Sequence, residues 1–217
     1  MNREWSELNK TMQMQIKKES TFQEGIVTLL TLRQKLTDEI FLLKRELDTD
    51  DFSARPFASA DGYHSKTIAY SLWHVFRIED IVAHTLIKGD EQIFFLGNYQ
   101  KRIGSPIITT GNELVKEQIS DFSKQLNLDA LYQYMAAVID STNGILRNLS
   151  FTDLKRKIKK EEKEYLRSLA VVSDDENAHW LIDYWCGKDF RGLIQMPFSR
   201  HWIMHIEACL RIKKKLL

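Results

Sequence analysis

From Phe22 to Leu47 the apolar residues return at threes and fours. Phe22, Ile26, Leu29, Leu36, Ile40, Leu43 and Leu47 fall on one face of a helix about seven turns long. A helix of that length with one apolar stripe is stable only when the stripe is buried against other helices, so this segment commits the chain to a helical bundle. The remaining sequence agrees, because 217 residues contain only 3 prolines and 9 glycines and show little of the β-branched alternation that marks strands. With 43% hydrophobic residues the chain can bury one sizeable core. The expectation is an all-α protein forming a single domain over residues 1–217, with residues 1–20 as an accessory N-terminal helix.

The other elements follow from the same periodicity. Trp5, Leu8, Met12 and Ile16 make a stripe on the first helix, and Thr21 with Glu24 reads as a capping box for the long second one. That first stripe must be covered by its own bundle or by another subunit, which predicts a homodimer with this helix as a candidate contact. After a loop over 48–66, a helix from Thr67 to Lys88 stops at Gly89. Apolar residues surround it on nearly every side, which marks it as the most buried helix. Residues 90–123 read as loop with short helical pieces. A third bundle helix carries Leu131, Met135, Val138, Leu146 and Leu149. Leu154, Ile158, Tyr165 and Leu169 should face inward on the next one, and the last long helix should open with Ser199 as its N-cap.

Charge and composition narrow the function classes. With 31 basic and 30 acidic residues the formal charge is +1, so no global field draws the chain to nucleic acid or to an anionic membrane. The basic cluster Lys155–Lys160 lacks interleaved stacking aromatics and is followed at once by Glu161, Glu162 and Glu164, which makes it a solvated helix face. No apolar run reaches the roughly 20 residues of a membrane span. Cys186 and Cys209 lie in apolar settings far from any CxxC spacing, as buried thiols of a cytoplasmic protein would.

The chemistry rests on histidine. His201 and His205, at i and i+4, project from one face of the last helix, and His74 lies in the middle of the most apolar one. Three neutral imidazoles without a carboxylate make a metal site that keeps open coordination positions. Such a site accepts zinc, nickel, cobalt, copper or iron. If Ser199 is the N-cap, the helix dipole helps keep His201 and His205 neutral, and desolvation does the same for His74. His84 stands about 15 Å further along its helix, too far to share the ion. His64 and His179 belong to loop and surface segments, and Glu79 and Asp80, turned away from His74, read as partners behind the ligands or between helices and not as ligands themselves. HWIMH is not the zinc-protease HExxH, because Trp202 occupies the position of the general-base glutamate. Cys209, at i+4 from His205, reads as a buried inert thiol.

A histidine in an apolar second helix (SLWHVFRIED) together with an HxxxH pair opening the last long helix (SRHWIMHIEACLRI) resembles the DinB-like superfamily, which includes bacillithiol-dependent transferases and mycothiol-dependent isomerases. The resemblance implies a four-helix bundle with additional N-terminal and connecting helices. It places the metal triad on His74, His201 and His205, with nickel or zinc as the divalent ion. It further implies a homodimer and a reaction in which the ion activates a low-molecular-weight thiol for transfer to an electrophilic substrate. Metal-dependent hydrolysis and a non-catalytic metal-binding or interaction bundle are the alternative functions. The chain departs from the pattern in its extra first helix, its longer segment after the second helix, and Trp202 within the histidine pair.

Overall fold

A computed structural model describes residues 2–217, and among these there is no β-strand. The long stripe behaves as its spacing requires. Helix α2 (Phe22–Glu46) buries Phe22, Ile26, Leu29, Leu36, Ile40 and Leu43, each contributing roughly 1.5–3 kcal/mol relative to an exposed position. Helix α1 (Arg3–Gln15) lies along α2 and is held close by Gly25, where a Cβ would come within 2.6 Å of the Ile16 side chain. Trp5, Met12 and Ile16 are buried by this contact within the chain, so the first-helix stripe is not free to meet a second copy. Thr21 forms no capping box. A short 3₁₀ turn, Glu19–Thr21, leads into α2, and the Thr21 hydroxyl donates to the Gln15 carbonyl at 2.7 Å.

Helix α3 (Ile68–Asp80) starts where Thr67 Oγ1 accepts the Tyr70 N–H, and all its residues are buried. It continues as a π-helical segment, Ile81–Lys88, that ends at Gly89 with φ +74°, a left-handed conformation suited to glycine. The preceding loop is tightened by 3₁₀ turns at Thr49–Ser53 and Gly62–Ser65. Beyond Gly89 the chain forms three short helices, α4 (Ile93–Leu96), α5 (Tyr99–Ile103) and α6 (Glu117–Gln125), then the long α7 (Leu128–Asn148).

Two boundaries differ from the periodicity reading. Helix α8 spans only Lys160–Ser168, because Asp153–Lys155 is a 3₁₀ turn and Lys157 bridges to Asp189. The later start shifts the phase, so Leu166 is buried and Tyr165 is 56% exposed. After α9 (Trp180–Cys186), the last helical run begins at α10 (Phe190–Gln195), where Asp189 caps the Gly192 N–H. Pro197, which has no N–H to donate, lies in a π turn over Met196–Arg200 that leads into α11 (His201–Leu216). Ser199 is therefore inside the run and not its N-cap. It is buried, and its hydroxyl donates to the carbonyls of Ile194 and Gln195.

Four long elements position the site: α2, α3 with its π extension, α7, and the α10–α11 run. Helices α2 and α3 each pack against both α7 and α11. No described helix is long and apolar enough to cross a membrane.

Candidate metal centre

The helical phase that joins His201 and His205 also brings His74 to them. Potential ligand atoms of the three rings lie within 4.8 Å of one another, and all three residues are buried. His74 Nδ1 donates to the Thr110 carbonyl at 2.9 Å, so its lone pair is on Nε2. That atom is 3.2 Å from His201 Nε2. Two nitrogens on a tetrahedral zinc with Zn–N near 2.05 Å would be about 3.3 Å apart, so the spacing fits a shared ion. His201 Nδ1 and His205 Nδ1 are buried with no hydrogen-bond partner in the protein, so the chain holds the second ring nitrogen of His74 alone. The donor set therefore suits a borderline divalent ion.

Protonation favours ligation. Burial pushes the pKa of His74 down to about 4, opposed by its bond to Thr110. Burial, with repulsion from His74, holds His201 well below the ordinary histidine range. For His205 burial again dominates, with further lowering from His201, His74, Lys66 and His64. The helix dipole is not the cause, because the two residues lie about three and about four turns inside the helical run.

The elements around the triad fix its geometry. Tyr70 stacks on His74 with ring planes 9° apart and donates its hydroxyl to the Gly111 carbonyl at 2.9 Å. The same loop is tied down by Arg77, which donates to the Ile108 carbonyl through Nε and Nη2. On α11, Trp202 faces away from the triad. Its Nε1–H donates to Glu79 Oε2 at 2.6 Å, and Arg33 lies over its ring. Arg33 in turn makes a two-pronged ion pair with Glu79 at 2.7 and 2.9 Å and donates to Asn143. The side chain that breaks the HExxH pattern thus fixes the rotation of the helix carrying both ligands. Sequence spacing had not identified Arg33, Tyr70, Thr110 or Asn112. Thr110 acts through its carbonyl, which has no residue signature.

The remaining candidates stay apart from the triad. His84 has both nitrogens engaged, with Asp90 at 2.7 Å and Ser141 at 3.0 Å. Although this Asp–His–Ser order is that of a hydrolase relay, Ser141 is in the interior of α7, where backbone N–H groups are committed to the helix and cannot form an oxyanion hole. The contacts make His84 a structural tie between the π extension of α3 and α7. Glu79 and Asp80 are interhelical partners, as expected. His179 bonds the Asp175 carbonyl at the surface. Cys209 is buried, and desolvation raises its thiol pKa to about 12. His64 is closer to the site than a loop position suggested, since Tyr63 packs against both His64 and His205.

On the other side, His74 and His201 line a pocket of about 210 Å³ whose wall is mainly α9 with Trp180, Leu181, Tyr184 and Trp185. Chemically, the site can bind one divalent ion through three neutral nitrogens and admit a small molecule from this pocket. No family model matches this sequence, and no curated protein matches it either.

Proposed function

We propose that this protein is a divalent-metal-dependent transferase of the DinB-like type that activates a low-molecular-weight thiol at His74, His201 and His205. The observation that carries the reading is the convergence of three neutral, buried imidazoles, two of which reach the inner end of a pocket. A nickel or zinc ion bound there would supply a thiol nucleophile at neutral pH by lowering the thiol pKa. The chain's own contributions are separate. His74 presents Nε2 because Thr110 holds its proton on Nδ1, Trp202 and Glu79 hold the phase of α11, and α9 supplies an apolar pocket wall. The four long helices are read as the DinB-type bundle, with α1 as the accessory helix. The free Cys186 and Cys209 accord with a cytoplasmic site of action.

Metal analysis after reconstitution tests the reading, with about one nickel or zinc per chain expected. The loaded protein should then consume a small thiol in the presence of an alkylating electrophile, at a rate that depends on His74. Bound metal without thiol turnover would instead indicate a non-catalytic metal-binding bundle. The resemblance also implies a homodimer. With the α1 stripe buried within the chain, deletion of residues 1–19 should not be what dissociates it in light scattering.

A further inference from the structure

The geometry points to an uncharged, single-ring aromatic molecule carrying one metal-donor group as the ligand of the pocket beside His74 and His201. This inference rests on the metal reading and adds the substrate class. At about 210 Å³ the pocket exceeds the roughly 150 Å³ apolar cavity that takes up benzene, so one ring with a short substituent fits. Its lining combines the aromatic Trp180, Tyr184 and Trp185 with the aliphatic Ile78, Leu181, Met196 and Pro197. Among the described residues, no Asp, Glu, Lys or Arg lines it.

That absence of charge determines the class. A thiol bearing several carboxylates would have to desolvate them against indole and proline with no cation to meet them. An aromatic body instead gains offset or edge contacts with Trp180 and Tyr184, which already pack edge to face at 5.7 Å between centroids. Both remain partly exposed, Trp180 at 46% and Tyr184 at 36%, so they form the mouth of the pocket. The lining amide is Asn112. Its Oδ1 accepts the Thr110 hydroxyl at 2.8 Å, which leaves its Nδ2–H₂ as the donor for an acceptor on the ligand. The same two-residue step carries the Thr110 carbonyl that orients His74, so the ligand-binding amide and the metal-binding ring are in fixed register. The open face of the triad is on the pocket side, because Tyr63 packs over His205 and only His74 and His201 reach the pocket.

The test uses the full chain loaded with cobalt(II), with thiol binding read from the thiolate-to-cobalt charge-transfer absorption. Benzyl mercaptan should bind at least about tenfold more tightly than 2-mercaptoethanesulfonate. Trp180→Ala and Tyr184→Ala should each weaken benzyl mercaptan by roughly three- to tenfold, the range of one aromatic contact, while leaving cobalt affinity unchanged. Equal affinity for the two thiols, or indifference to both substitutions, overturns the assignment while the metal site stands. A second arm needs no metal: saturation-transfer NMR on the metal-free protein should show benzyl alcohol bound, and bound less in Tyr184→Ala. If cobalt fails to bind but benzyl alcohol does so, the metal reading falls and the aromatic pocket survives. No benzyl alcohol binding to a protein that does bind cobalt overturns the pocket.

Discussion

Helix α3 contributes to two polar clusters in the bundle interior that solve the problem of burial in opposite ways. Glu79 meets Arg33 of α2, and on the side of α4 and α7 Arg77 pairs with Asp80, all with side chains fully buried. Every charge has partners. Glu79 accepts from Arg33 and Trp202, while Asp80 accepts from Tyr134 and from the backbone N–H groups of Ile93 and Phe94. Arg77 also donates to Gln92 and the Ile108 carbonyl. The triad, one turn earlier on the same helix, has only the Thr110 bond besides its internal contact and leaves two buried ring nitrogens without partners. A saturated cluster is architecture, since nothing further can bind to it. The triad instead holds three ring nitrogens within 4.8 Å of one another with no charge among them, a set of lone pairs that a cation would complete.

The contrast can be broken most directly at Glu79. Glu79→Ala leaves Arg33 buried and uncompensated, so urea denaturation should show a loss of about 3–5 kcal/mol. In the metal-free protein His74→Ala should cost about 1–2 kcal/mol, the scale of one lost hydrogen bond with its partner left behind. Equal losses would mean that the triad is a structural cluster.

Metal affinity sharpens the same contrast from the other side. His74→Ala, His201→Ala and His205→Ala should each lower zinc or nickel affinity on the order of 100-fold or more, exceeding the range seen when only a supporting residue is lost. His84→Ala, whose ring is committed to Asp90 and Ser141, should leave it essentially unchanged. Calorimetric titration of the four variants checks this, and a comparable loss at His84 would put the site in the wrong place.

Acid should act on the triad through its desolvated rings. An unfolded imidazole takes up its proton near pH 6.5, whereas His74 in the fold does so only near 4 and the other two are held well below the ordinary value. Between those limits the unfolded state binds more protons, so the stability of the metal-free protein falls as pH drops. The contribution is complete above about pH 6.5, and the part lost by pH 4 is about 3 kcal/mol for His74 alone. Urea midpoints measured from pH 7 to 4 should slope accordingly, and His74→Ala should flatten the profile. An unchanged slope would mean that the ring titrates normally.

The smallest effect is expected at the supporting loop. Gly111 has φ +78°, and a Cβ there would stand 3.2 Å from the Tyr70 ring. Gly111→Ala should shift the turn that presents the Thr110 carbonyl and lower metal affinity by roughly tenfold, as loss of a supporting contact does. A neutral outcome in the same titration would show that His74 is oriented by α3 packing alone.

Much of this was legible in the residues themselves. The stripes of α1, α2 and α7, the burial of α3 on all sides and its stop at Gly89 follow from periodicity and from glycine's access to positive φ, both of which act within a few residues. The i, i+4 pair and the apolar setting of His74 fixed which rings could share an ion, because helical phase and desolvation are local properties. Where the reading failed, the way neighbouring segments join had overridden the cap and phase signals. Thr21 spends its hydroxyl on Gln15, Tyr165 is turned outward by a helix that starts late, and Ser199 lies inside a run that begins at Asp189.

The sequence by itself thus determined an all-helical chain and the identity of the three histidines, since both depend on spacing along one backbone. Only the tertiary structure decided that the rings converge, that Trp202 locks their helix through Glu79 and Arg33, and that an uncharged aromatic wall faces them. Those features join α2, α3, α9 and α11 through side chains far apart in sequence, and no local spacing rule specifies which of them will meet.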